Sequence, residues 1–126
     1  MTDKELLELA AKAAGIELKI NKVTPCYHGE PNFESLRRTH SLGRKSDWIV
    51  WNPLTDDGDA LRLAVKLNLD ITHSWSIVNG DDNYPMASVH VSRNGENFIY
   101  ELKESDPYAA TRRAVVRAAA EIGKNV

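Results

Sequence analysis

The chain has 126 residues, 42% hydrophobic and 27% charged, with a net charge of −2. That is the size and balance of one globular domain able to build its own core, since chains of about 150 residues bury roughly 68–70% of their unfolded surface. The charge excludes a bulk basic field drawing the chain to nucleic acid or anionic lipid; no apolar run reaches the ~18–20 residues of a membrane span; and a single cysteine, Cys26, excludes an internal disulfide framework.

The N-terminal run MTDKELLELAAKAAG carries acids where a signal peptide needs bases, so the cytoplasm is the expected compartment. The same run predicts a first helix from about Asp3 to Ala14. Thr2 and Glu5 have the spacing of a capping box, in which each side chain satisfies an amide of the other residue. Leu6, Leu9, Ala10 and Ala13 form its apolar stripe, with Leu7 and Ala14 at the flank. Gly15 supplies the left-handed position that ends it.

Trp48–Asn52 is a strand candidate, and Thr24–Glu30 a weaker one because of its Pro and Gly. Between them, residues 29 to 46 read as a long loop holding Arg37, Arg38, His40, Arg44 and Lys45. Long loops inside compact domains are usually functional or mobile. A short turn at Pro53, capped by Asn52, then leads to a second helix over Asp56–Leu67. Asp56, Asp57 and Asp59 lie where the helix dipole favours anions. Ala60, Leu61, Ala64, Val65 and Leu67 supply its apolar face, and Asn68 is suited to a left-handed terminator.

The period then changes to two. Ile71, His73, Trp75 and Ile77 alternate with Thr72, Ser74 and Ser76. Ala87, Val89 and Val91 alternate with Ser88, His90 and Ser92. Phe98, Tyr100 and Leu102 form a further set. Gly80–Pro85 reads as a loop, and Asn94-Gly95 as a hairpin turn, because both residues tolerate positive φ. A third helix runs from Pro107 to Ile122, capped by Asp106, with Pro107 at its first position and Gly123 at its end. Its small-residue face, Ala110, Ala114, Val115, Ala118, Ala119 and Ile122, allows close packing. The prediction is an α+β domain over residues 1–126. It has an antiparallel sheet of about four strands and three helices, in the order α, β, α, βββ, α, the first and third helices packing on the sheet.

Two blocks, WNPLTDDGDALRLAVKL and, about forty residues later, DPYAATRRAVVRAAAEIG, together with an N-terminal helix ending in AAGIE, resemble the phage ABA-sandwich domain family. These are small proteins of tailed phages and prophages, with the NinX-type lambdoid accessory proteins as more distant relatives. The resemblance covers nearly the whole chain but not Cys26–Ser46. It implies helices on both sides of a sheet and a phage origin, and it carries no catalytic residues.

Read from the residues themselves, Asp56, Asp57 and Asp59 offer oxygens to a divalent cation, but the EF-hand order is not met. Helix-terminal charge and turn chemistry explain them more simply. Cys26 and His28, with His40, His73 and His90 elsewhere, lack the paired short spacings of a zinc site. His73 falls on the apolar face of its strand and reads as a core histidine. His90 falls on the polar face and is the more interesting of the two. Arg112, Arg113, Arg117 and Lys124 give the last helix a basic flank that local ion pairs account for, Arg117 being spaced to meet Glu121. Trp48, Trp51 and Trp75 could stack a base, with core packing the stronger reading. No P-loop, GxGxxG, GxSxG, HExxH or CxxC is present.

The expectation is a non-catalytic accessory protein of a phage, acting in the host cytoplasm. It would bind a host protein or a small nucleotide-like ligand, with counter-defence as one role for it, without cofactor or bound metal. Trp51, Asp56, Asp57, Asp59, His90, Arg37, Arg38, Arg112 and Arg113 are the candidate contact residues. Two alternatives stand beside it: a metal-assisted phosphate-ester hydrolase using the three aspartates, and a nucleic-acid-binding accessory of phage DNA metabolism using the Arg37–Lys45 segment, the latter disfavoured by the net charge. A homodimer through the polar strand face is also expected as an outcome.

Overall fold

The computed structural model describes residues 1–23, 33–38, 49–78, 82–91, 98–103 and 105–126. The element order is α1 (Asp3–Ala14), β1 (Leu18–Val23), β2 (Phe33–Arg38), β3 (Ile49–Val50), α2 (Asp57–Lys66), β4 (Leu69–Val78), β5 (Asp82–Val91), β6 (Phe98–Leu102) and α3 (Pro107–Lys124). The class is α+β. The described strands form two antiparallel three-stranded sheets, β1-β2-β3 and β4-β5-β6, rather than one sheet of about four.

Helix termini follow from their caps. Thr2 and Glu5 close a reciprocal capping box, with Glu5 N donating to Thr2 Oγ1 at 3.2 Å and Thr2 N to Glu5 Oε2 at 3.0 Å. Gly15 ends α1 at φ 69°, a conformation that carries a steric cost for any residue with a Cβ. Asp56 and Asp106 accept amides from the first turns of α2 and α3, and Asn68 takes the left-handed conformation at φ 54°. Asn52 organises the turn before α2: its side-chain oxygen accepts Leu54 N, and its carbonyl accepts Thr55 N and Asp56 N.

The centre of the molecule is α3. Ala114, Val115, Val116, Ala118, Ala119 and Ala120 are all buried. The helix packs on β5 and β6 and receives α1 along its length and α2 at its side. Its buried arc is therefore wider than the stripe expected from spacing. α1 turns Leu6, Leu7, Ala10, Ala11 and Ala14 inward, while Leu9 and Ala13 are half-buried, so its stripe is rotated by about one residue. Gly123 does not end α3. The helix continues to Lys124, and a Cβ at Gly123 would overlap the Leu9 carbonyl, so the missing side chain lets the two helices approach.

In the second sheet, Ile71 faces Val89, and Val89 faces Ile99. This row, with Ala87, belongs to or packs against the core. The opposite face holds exposed Thr72, Tyr100 and Leu102. The two-sided cover implied by the resemblance is not seen among the described residues: α3 covers one face, and α1 and α2 pack on α3.

Three further expectations are modified. β2 lies inside the segment read as a loop over 29–46. The strand expected at Trp48–Asn52 is reduced to Ile49–Val50, because Trp51 turns into the core and Asn52 begins the capping turn. β5 starts at Asp82, so the expected Gly80–Pro85 loop contributes ladder residues instead. Thr24–Glu30, Trp48, His40, Arg44, Lys45 and the Asn94-Gly95 turn lie outside the described residues. β5 and β6 do pair antiparallel, as that hairpin requires.

Candidate ligand-binding groove

The acidic segment before α2 is built as a self-satisfied helix start. Asp56 is its N-cap, and its Oδ2 accepts Asp59 N at 2.8 Å. Asp59 is 5% exposed, with every short-range role filled. Its Oδ2 accepts Asn52 N at 3.0 Å, and its Oδ1 accepts Arg62 Nη2 at 2.8 Å. Asp57 points the other way and meets Arg112 Nη1 at 2.6 Å. Asp56 and Asp59 thus share Arg62, whose Nη2 is 3.8 Å from Asp56 Oδ2, while Asp57 turns to Arg112, and among the described residues no three His, Cys, Asp or Glu side chains are placed to hold a metal ion. Asp59, one of the candidate contact residues, is placed here as a structural link between the Asn52 turn and Arg62. Each oxygen of this buried carboxylate already accepts one hydrogen bond, as buried polar groups usually do. Trp51, at 2% exposure, is part of the core.

The basic flank of α3 is also spoken for. Arg113 reaches Asp3 at 3.3 Å and Glu101 at 3.6 Å. Arg117 meets Glu101 at 2.7 Å and the Tyr100 carbonyl at 3.2 Å. Arg117 therefore pairs across to β6 instead of along the helix to Glu121, which takes Lys124 at 2.9 Å. Glu101 is the better partner because it is half-buried opposite the helix, where a charge pair is less screened by water. His90 lies opposite Asp70 in the ladder, with Nδ1 3.7 Å from Oδ2. Arg37 and Arg38 are placed by backbone alone, at the β2 positions facing Val50 and Ile49.

What the structure does bring together is a groove of about 430 Å³ between α2, the first turns of α3 and the α3-facing side of the sheet. Its apolar lining is Leu61, Ile71, Pro107 and Tyr108, and its polar lining is Asp57, His73, Lys103, Thr111 and Arg112. The floor is pinned by Arg112, whose Nε donates to the Leu54 carbonyl at 2.8 Å while Nη1 holds Asp57. Thr111 Oγ1 donates to the Pro107 carbonyl at 2.8 Å. Among the described residues neither Lys103 nor His73 has a charged partner.

The groove exists because α3 packs over β5 and β6 and only lightly over β4. His73 occupies the core-facing side of that edge strand, yet it is exposed, and the expectation of a core histidine is corrected on that ground. Lys103 follows β6, its amide donating to the Pro85 carbonyl at 2.9 Å, so it projects from the same side of the sheet as His73. Of the residues singled out in the sequence as contacts, Asp57 and Arg112 line the groove; Leu61, Tyr108 and Lys103 were not so marked. One signal was available: α2 carries more apolar residues than one face of ten residues can bury. Leu61 is 62% exposed and Val65 is 72% exposed, which corrects both from the buried face expected for α2.

No protein-family model matches the chain, nor does any curated protein or solved structure. Among the described residues no helix is long and apolar enough to cross a membrane.

Proposed function

We propose that the chain is a non-catalytic binding module that uses the groove between α2 and α3, and that it serves a phage of the ABA-sandwich kind as an accessory protein in the host cytoplasm. The observation that carries the binding reading is the division of labour among its charged groups. The carboxylates and arginines that could have formed a reactive cluster are joined in structural pairs, while the groove combines an apolar lining with a few polar groups, the usual make-up of a small-molecule site. The sequence resemblance alone carries the phage part, and a cytoplasmic setting agrees with the lone cysteine.

The hydrolase alternative needs oxygens converging on a metal, whereas Asp56 and Asp59 meet a guanidinium, that of Arg62, and Asp57 turns away to Arg112. The nucleic-acid alternative needs cations free for phosphates; the arginines of α3 are paired, and the net charge of −2 disfavours a reading built on the Arg37–Lys45 segment. The test is native mass spectrometry of the protein from bacterial cells, beside an assay with bis-p-nitrophenyl phosphate and Mg²⁺ or Mn²⁺. The expected result is a bound small molecule and no metal-dependent turnover. Turnover abolished by Asp57→Asn and by chelation would overturn the binding reading.

A further inference from the structure

We propose that the groove takes a small aromatic anion, its charged group at Lys103 and its ring against Tyr108 and Leu61. This rests on the reading of the chain as a binding module and gives that module a ligand class.

The charge arithmetic favours an anion. Arg112 and Asp57 form a pair at 2.6 Å and cancel. That leaves Lys103, half-buried and without a carboxylate among the described residues, and His73 as a second hydrogen-bonding group on the wall. A lysine that lines a groove with no carboxylate partner among the described residues offers its three donors to an anionic guest. A metal ion is the wrong guest, since the groove has a single carboxylate and that one is occupied by Arg112.

The walls favour a flat apolar body. Tyr108 is 69% exposed and Leu61 62%, and with Ile71 and Pro107 they make up the apolar lining of the groove. Tyr108 sits in the first turn of α3, whose start is fixed by Asp106 Oδ1 accepting Tyr108 N at 3.1 Å. The ring is therefore carried on a rigid backbone, which lowers the entropy lost on stacking. An aromatic guest meets Tyr108 in offset-stacked or edge-to-face geometry, worth more than its area alone. A volume of about 430 Å³ holds one such molecule.

The charged group could be a carboxylate or a phosphate, and the experiment separates them. Amide NMR spectra of the protein would be followed during titration with indole-3-acetate and, separately, with adenosine 5′-monophosphate. The neutral analogues indole-3-acetamide and adenosine serve as controls. The expected result is shift changes concentrated at Leu61, Ile71, His73, Lys103 and Tyr108, with at least one anion binding more tightly than its neutral analogue. Lys103→Met should weaken that anion roughly tenfold, as loss of one charge-assisted contact does, and leave the neutral analogue unaffected. Tyr108→Ala, at a site too exposed to endanger folding, should weaken both. Indole-3-acetate binding the tighter would name a carboxylate, and adenosine 5′-monophosphate a phosphate. Shifts elsewhere, no preference for either anion, or indifference to Lys103→Met would overturn the proposal while leaving a binding module of another specificity standing. Conversion of adenosine 5′-monophosphate to adenosine in the same tube would sink the non-catalytic reading and leave the location of the groove intact.

Discussion

α1 and α2 flank the same helix, begin with comparable caps and are nearly equal in length, yet they treat their apolar residues differently. α1 places Leu6, Leu7, Ala10, Ala11 and Ala14 against its neighbours and keeps charge outside. α2 buries Ala60, Leu63 and Ala64 but leaves Leu61 and Val65 in solvent. α1 is thus spent wholly on the core. α2 splits its apolar residues between the core and a second face that nothing in the described chain covers, and Leu61 of that face lines the groove. A helix used only as cladding has no need of that second face.

The largest test of this contrast is on the buried anchor of α2. Trp51 is 2% exposed and lies in the core cluster, one residue before the turn that starts the helix. Trp51→Ala should destabilise the fold by about 3–5 kcal/mol through lost burial and a residual cavity, read from the midpoint of urea unfolding. A loss below about 1 kcal/mol would mean that α2 is not anchored through the core. The corresponding test on the α1 side is Gly123→Ala. In a free helix the change would gain up to about 1 kcal/mol. Here the new methyl meets the Leu9 carbonyl, which is backbone and cannot swing aside. Overpacking of that kind costs about 1–3 kcal/mol, so net destabilisation is expected. A rise in the unfolding midpoint would show that α1 and α3 sit further apart.

The parts of this architecture legible in the sequence are those set by local chemistry. Thr2–Glu5, Asn52, Asp56, Asp106 and Asn68 each act within a few residues, and each holds the place its type demands. What was not legible depends on tertiary neighbours. Periodicity put Leu61 and Val65 on the inner side of α2, because an apolar residue beside the buried stripe reads the same whether or not a neighbour covers it. It put His73 in the core, because pattern marks the face of a strand and not whether a helix reaches that end of the face. Gly123 read as a terminator because its contact is with Leu9, on a helix more than a hundred residues earlier. The groove shares this cause: Lys103, His73, Leu61 and Tyr108 come from four elements, and no spacing rule relates them.

The smallest expected stability change is the sharpest statement about α2. Leu61→Gln and Val65→Gln replace side chains 62% and 72% exposed, so little area returns to water in the unfolded chain. Both variants should stay within about 0.5 kcal/mol of the parent in urea unfolding, as surface substitutions do. They should nevertheless differ from each other in binding. Leu61 lines the groove and Val65, one turn further along α2, does not, so Leu61→Gln should weaken an aromatic anion several-fold, by the loss of about 1 kcal/mol of apolar contact, while Val65→Gln leaves it unchanged. Equal weakening by both would extend the site along α2 beyond the groove and point to a larger partner laid across the helix. A stability loss of 2 kcal/mol or more (about the cost of unburying a leucine) would show that the second face of α2 is covered after all, and the contrast with α1 would fail.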